Sequence, residues 1–336
     1  MTPPTEATLR ASLRNGYGVE AARLEREADG ADAAAHAWRV TAADGRRLFL
    51  KLRPEVRPAA ILVPRHLRSA GLEEVVAALP TAGGAGWLEI DGWAAVVMDL
   101  VDGRTAFRAG LALDGWRRLG AFAARLHGVV LPPELAAIVP IEDFRPKATD
   151  RARELDERIG RLAADGLDDD AAAVRRRWLS ERGAIRTIVA ATDELAARIR
   201  GRASPPPTVL CHADFHLANV LIDAGGRIHI VDWDEIVFAP RERDLMFVRG
   251  SAIPEVISDE AADAFESAYG PVEIDRELIA WYRLDWTVQD LAGFASEVLF
   301  DPDREPSTRP RARRIFEALF GPGDQVAAAV ASLAER

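Results

Sequence analysis

The chain is poor in cysteine, in lysine and in long apolar runs, and each shortage removes a class of protein. A single cysteine, Cys211, excludes an internal disulfide framework and suits a reducing compartment, so a cytoplasmic location is expected. No apolar run approaches the roughly 18 residues of a spanning helix, and the opening stretch MTPPTEATLRASLRNG lacks the basic-then-apolar plan of a signal peptide. No membrane partner is therefore expected. A formal charge of −10 disfavours a nucleic-acid partner and favours a cationic small molecule. The composition is 49% hydrophobic and 29% charged, which describes an ordinary globular protein, and 336 residues exceed what one core usually holds. Two lobes follow from the length.

Lysine is the informative shortage. Among 43 basic residues the only lysines are Lys51 and Lys147. Lys51 lies in the alternating run Arg47-Leu-Phe-Leu-Lys51-Leu-Arg53, which predicts a strand. A lysine presents a compact, mobile point charge where arginine presents a rigid fork. On position alone, Lys51 is either a phosphate ligand or an exposed strand lysine.

The two halves differ in texture. Strands are predicted over 19–26, 37–42 and 47–53, the last two joined by Ala43-Asp44-Gly45, then a helix over 58–70 that stops at Gly71. Strands at 87–90 and 93–100 flank Asp91-Gly92, a strong hairpin signal. After Asp102-Gly103 the pattern turns helical. Leu113, Trp116, Leu119, Phe122, Ala123 and Leu126 share one helix face, and further helices are expected over 148–165, 168–182, 187–200 and much of 259–335. The expected fold class is α+β: an N-terminal antiparallel sheet lobe over 1–102 and a larger helical lobe over 103–336.

Inside the helical half lies LCHADFHLANVLIDAGGRIHIVDWDE, residues 210–235. Two short β-branched runs, 220–222 and 228–231, pair across Asp223-Ala-Gly-Gly226, so the chain just before the first and just after the second become neighbours. Asn219 and Asp232 occupy those ends. Two oxygen donors at one end of a hairpin suit Mg²⁺, which completes its shell with phosphate and water. The alternative is an ordinary polar hairpin. His212 and His216 stand four apart in HADFH, but the glutamate of a zinc-protease helix is missing and the segment predicts a loop, so zinc is not expected. Cys211 has no nucleophile partner in sight and reads as a small buried thiol.

His212-Ala-Asp214-Phe-His-Leu-Ala-Asn219 with Ile230-Val-Asp232-Trp-Asp234 resembles the signature of the aminoglycoside phosphotransferase family, a branch of the protein-kinase-like fold. The stretches Ala239-Pro-Arg-Glu-Arg-Asp244 and Trp281-Tyr-Arg-Leu-Asp285-Trp are most similar to its spectinomycin-phosphotransferase-like group. The resemblance implies a bilobal protein-kinase-like fold with a catalytic loop at about 209–247. It implies that Asp214 is the catalytic base, that Asn219 and Asp232 hold Mg²⁺, and that Lys51 holds the phosphates of ATP. Met98, Asp99, Leu100 and Val101 would form the adenine-binding hinge. Asp244 matches a buried structural aspartate, and His212 a buttress of the loop. Its substrate-binding region covers 281–305, where six acids (Asp285, Asp290, Glu297, Asp301, Asp303 and Glu305) would attract an amine. There Asp285, Trp281 and Tyr282 are acceptor-site candidates, the two aromatics being equally compatible with core positions.

Departures from the family pattern are specific. There is no Gly-x-Gly-x-x-Gly, and the loop over the phosphates would be Glu27 to His36 with Gly30 alone. The helix after Lys51 supplies no glutamate to pair with it. Ala213 stands where glycine is usual. The expected activity is Mg²⁺-dependent transfer of phosphoryl from ATP to a small-molecule hydroxyl, with an aminoglycoside or aminocyclitol antibiotic as acceptor and GTP left open as donor. The alternatives are a kinase of another small alcohol and a nucleotide-binding protein without turnover. The oligomeric state is not readable from sequence.

Overall fold

The structure is a computed structural model that describes residues 3–27, 35–248, 257–301, 308–321 and 324–333. The chain forms two compact units, one comprising Met1–Pro140 with His212–Phe238, the other Ile141–Cys211 with Ala239–Arg336. The polar hairpin thus folds with the N-terminal strands, whereas the lobe boundary expected at residue 102 would have left it with the helices. Backbone hydrogen bonds are the reason: Ile230 donates to the Glu74 carbonyl at 2.7 Å, and Val76 donates to the Ile230 carbonyl at 3.0 Å. Among the described residues no helix is long and apolar enough to cross a membrane.

The first unit opens with a helix absent from the sequence expectations, α1 (Glu6–Tyr17), whose N-cap Thr5 accepts from the Thr8 amide. Strands β1 (Ala21–Glu27), β2 (His36–Ala42) and β3 (Arg47–Arg53) follow. Next come α2 (Pro58–Ser69), β4 (Leu88–Ile90) and β5 (Trp93–Asp99). They form an antiparallel sheet in the order β1-β2-β3-β5-β4. Asp91 and Gly92 both take positive φ, 51° and 80°, the geometry a two-residue hairpin turn demands. On β3, Leu48, Leu50 and Leu52 are buried with Leu9 and Leu13 of α1, Trp38, Val40 and Val97 in one core. The period of two then puts Phe49, Lys51 and Arg53 on the opposite face. The strand that builds the core is thereby the strand that presents the lysine.

The unit continues with β6 (Gly103–Thr105), α3 (Ala106–Ala109), α4 (Leu113–His127) and α5 (Pro133–Ala136). The apolar face expected for α4 is buried from Trp116 to Leu126, but Leu113 is 42% exposed, being the first residue of the helix and ahead of the buried stripe.

The second unit begins with α6 (Thr149–Arg161), α7 (Asp169–Ser180) and α8 (Arg182–Arg200), α8 starting five residues earlier than expected, right after Glu181. After β7 (Val209–Cys211) the chain returns to the first unit, where β8 (Val220–Asp223) and β9 (Ile228–Ile230) pair as expected across residues 223–226, with Val220 opposite Ile230. Gly226, at φ 75°, closes that turn. β6 adds to β8, giving a sheet in the order β6-β8-β9. Beyond β10 (Val237–Ala239) lie α9 (Glu242–Leu245), α10 (Asp259–Tyr269), α11 (Arg276–Phe300), α12 (Arg309–Ala318) and α13 (Gln325–Ser332). α11 is the axis of the second unit, packing on α6, α7, α8, α9, α12 and α13.

Candidate active site

Asp214, Asn219, Asp232 and Lys51 all belong to the first unit. The loop that carries Asp214 is held from beneath by His212, which is fully buried. The Asp214 amide donates to His212 Nδ1 at 3.3 Å, so the ring's other nitrogen carries the proton and donates to the Val231 carbonyl at 3.0 Å. The ring also packs on Trp233, with centroids 4.6 Å apart. One imidazole thereby ties the chain before β8 to the chain after β9. Cys211, just ahead, is buried with its thiol facing the carbonyls of Ala239 and Pro240, and burial raises its pKa well above the usual thiol value. The raised value disfavours the thiolate that a nucleophile needs.

Asp214 is oriented at both oxygens. Asn219 Nδ2 donates to Oδ2 at 2.8 Å and to the Asp214 carbonyl at 2.9 Å. His216 caps the short 3₁₀ turn Leu217–Asn219 by accepting from the Ala218 amide, which leaves its Nε2 to face Asp214 Oδ1 at 3.3 Å. Burial pushes the Asp214 carboxyl up, but hydrogen bonds from His216 and Asn219 and the nearby imidazoles outweigh it and hold the group well below the usual carboxylate range. The side chain keeps 30% of its surface exposed. His216, excluded as a zinc ligand on sequence, serves the loop instead, because its ring turns back on Asp214 two residues before it.

Across the hairpin, Val231 donates to the Asn219 carbonyl at 3.0 Å, which fixes Asn219 beside the segment that bears Asp232. Lys51 Nζ donates to Asp232 Oδ1 at 2.9 Å and to Asp234 Oδ2 at 2.5 Å. Arg53 also donates to Asp234 Oδ2. These are the lysine's partners, which the sequence could not name. Withdrawal from water and the adjacent Asp234 push Asp232 above the usual range against the pull of Lys51, while Lys51 and Arg53 keep Asp234 below it. With Asn219 Nδ2 donating to Asp214, the amide oxygen is the atom Asn219 has to offer a metal. Asp232 keeps 39% of its side chain exposed. A half-exposed carboxylate and an amide oxygen are the ligand types a hard dication takes.

Two residues take left-handed backbone here, Ala213 at φ 68° and Asp232 at φ 62°. Such conformations cost about 1–2 kcal/mol for a residue with a side chain, and they concentrate at functional sites. The glycine usual at position 213 therefore has a conformational reason.

The other expected site residues are placed as follows. Met98 and Asp99 end β5, opposite Phe49 and Leu48, and the Leu100 amide bonds to the Arg47 carbonyl at 3.0 Å, with Val101 next in the chain. Asp244 is fully buried and lies within α9, whose N-cap position is Arg241. Trp281, Tyr282 and Asp285 are 1%, 0% and 3% exposed on α11. Phe144 packs edge-on to Trp281, and Asp285 accepts from the Lys147 amide and from Gln289 Nε2. Asp290, Glu297 and Asp301 are half-buried, so the described part of the acidic segment is not a solvated face. Asp303, Glu305 and most of the loop expected over the phosphates lie outside the described residues.

A model of the phosphotransferase enzyme family matches residues 25–286, well over half the chain and every group just described around Asp214. The chain belongs to the phosphotransferase enzyme family. It is accordingly a phosphotransferase. The fold of the phosphotransferase is similar to that of a spectinomycin phosphotransferase in complex with ADP and spectinomycin, at 24% identity, with 99% of each chain covered and a TM-score of 0.87. It is also similar to an amicoumacin kinase in complex with AMP-PNP (17% identity, 96% and 95% covered, TM-score 0.61). A Plasmodium vivax ethanolamine kinase matches at 14% identity, 94% and 87% coverage and a TM-score of 0.56. These likenesses establish the protein-kinase-like α+β fold. No curated protein sequence matches the phosphotransferase.

Proposed function

We propose that the enzyme moves the γ-phosphoryl group of ATP, with Mg²⁺, to a hydroxyl of an aminoglycoside or aminocyclitol antibiotic and so inactivates it. The observation that carries this is the joint placement of Asp214, Asn219, Asp232 and Lys51, tied together by hydrogen bonds, in one compact unit. The neighbour covered over 99% of both chains holds ADP and spectinomycin, which supports the acceptor class. In this assignment Asn219 and Asp232 hold Mg²⁺, Lys51 holds the inner phosphates, and residues 98–101 face adenine. Bound there, the ion supplies neutralisation of the phosphate charge.

Asp214 orients the acceptor hydroxyl toward the γ-phosphorus. The new bond joins acceptor oxygen to phosphorus, the bond to the bridging oxygen breaks, ADP leaves, and the hydroxyl proton passes to Asp214. Because its carboxyl sits well below the usual range, Asp214 is a weak base for a resting hydroxyl. Its first task is orientation, and the proton moves late, as suits a loose phosphoryl transition state.

The test is ADP release with a panel of aminocyclitols, aminoglycosides, amino alcohols and sugars, with and without Mg²⁺. Mg²⁺-dependent release with an aminocyclitol or aminoglycoside is expected, and Asp214→Asn should lower the rate by roughly 10²–10⁴-fold with ADP affinity retained. Release with a neutral alcohol alone would replace the acceptor assignment. Unchanged turnover in the Asp214 variant would remove that residue from the mechanism.

A further inference from the structure

Four charged groups, Lys51 among them, form a cluster in which the Asp232 and Asp234 carboxyls also meet each other. Lys51 and Arg53 are two residues apart on one face of β3, and Asp232 and Asp234 are two apart on the segment after β9. Matching spacings make the order of ion pairs Asp232–Lys51–Asp234–Arg53, with each inner group shared by two oppositely charged partners. The two carboxylates differ in their surroundings. Asp232 has 39% of its side chain exposed and Asp234 18%. Asp234 Oδ2 receives both the ammonium of Lys51 and the guanidinium of Arg53, whereas Asp232 Oδ1 receives the ammonium of Lys51. An oxygen already facing two cations is a poor place for a third, so Asp234 is ill suited to hold a metal.

The first acid after β3, Glu55, is exposed two residues beyond the end of the strand. α2, PAAILVPRHLRS, carries no acid at all. The next acids are Glu73 and Glu74, and Glu74 is paired with Arg125. If Asp232 turns to a dication, the ion repels the adjacent ammonium, and Lys51 needs a second anchor to stay in place.

We propose that Asp234, charge-balanced by Arg53, is the positioning residue of Lys51 and fills the place of the helix glutamate that this chain lacks. The proposal rests on Lys51 being a ligand of nucleotide phosphate. It assigns Asp232 to the metal and Asp234 to the lysine, so two carboxylates in one short motif do different work. Loss of Asp234 is then equivalent to loss of Lys51.

The chain's two lysines make this measurable without turnover. Acetylation by an N-hydroxysuccinimide ester in EDTA, followed by peptide mass spectrometry, reads Lys51 against exposed Lys147 as an internal reference. Asp234→Asn is expected to speed Lys51 acetylation about tenfold, the loss of one charge-assisted hydrogen bond, and by more than Asp232→Asn does. Lys147 should not change. In parallel, ADP affinity of Asp234→Asn should fall about tenfold both in EDTA and in Mg²⁺. Lys51→Met should fall equally, and the double variant no further. A loss confined to Mg²⁺ would make Asp234 a metal ligand and overturn the proposal. So would unchanged Lys51 acetylation in Asp234→Asn. Asp234→Ser replaces the amide variant should that one not fold. A wild-type protein that fails to bind ADP would sink the proposed function, while the acetylation contrast would still decide whether Asp234 holds Lys51.

Discussion

Asp214 and Ala213 are adjacent, and they show how chemistry and strain share a loop. Asp214 is held by Asn219 and faces His216, and its backbone amide is held by His212. Ala213 meets that geometry with φ 68°, a region where a Cβ crowds the following carbonyl. Ala213→Gly relieves roughly 1–2 kcal/mol of this strain and returns roughly 0.5–1 kcal/mol through the greater freedom of unfolded glycine. The variant should therefore be more stable by up to about 1.5 kcal/mol, read as a higher urea midpoint with unchanged slope. A lower midpoint would mean that the Ala213 methyl, 2% exposed, contributes more in packing than its backbone loses.

Helices α6, α7 and α8 are joined by one carboxylate. Asp156 on α6 accepts from Trp178 Nε1 on α7 at 3.0 Å, and from Arg182 and Arg186 on α8 at 2.7 and 2.9 Å. The residue is 6% exposed. Burial pushes its carboxyl up, but the donors from Arg182, Trp178 and Arg186 prevail and hold it below the usual range. A lowered folded-state pKa means that the unfolded chain takes up the proton first as pH falls. The stabilisation is therefore complete above the ordinary carboxylate value, near 4, and is lost as pH drops through the folded-state value. Asp156→Asn should cost about 2 kcal/mol at pH 7, the usual scale for hydrogen bonds to a charged group. The difference from wild type should shrink toward pH 2–3. Urea unfolding at the two pH values checks it, and an equal penalty at both would show that the carboxylate charge is irrelevant to the junction.

At the scale of the whole molecule, the excess of 53 acidic over 43 basic residues supplies a field that favours a cationic acceptor. Asp285 is buried and engaged with Lys147 and Gln289, so attraction of an amine falls to exposed acids and to the summed charge. Such attraction is screened over about 8 Å at physiological ionic strength. The acceptor KM should rise between low and high salt, with a much smaller change in kcat, since ground-state binding is what weakens. A neutral acceptor should show no such rise. Equal salt effects on charged and neutral acceptors would remove the field from substrate selection.

By itself the sequence determined the strands around Lys51, the Asp-Gly turn, the pairing of the polar hairpin and the neighbourhood of Asn219 and Asp232. All of these rest on periodicity and turn chemistry, which act over a few residues and are written in consecutive letters. It also carried the family signature, because Asp214, Asn219 and Asp232 lie within nineteen positions of one another. Helix α1 escaped notice because its buried face is carried by two leucines, Leu9 and Leu13, too sparse a pattern to separate from a polar N-terminal segment. The tertiary structure alone decided the partners of Lys51, more than 180 positions away, since no local pattern encodes a contact made by folding a hairpin onto the strand region. It decided equally that Asp285 is buried with both oxygens bonded, because burial depends on what packs against α11 from six other helices. Local chemistry reads from the chain in order; charge pairing and burial are set by which distant segments meet.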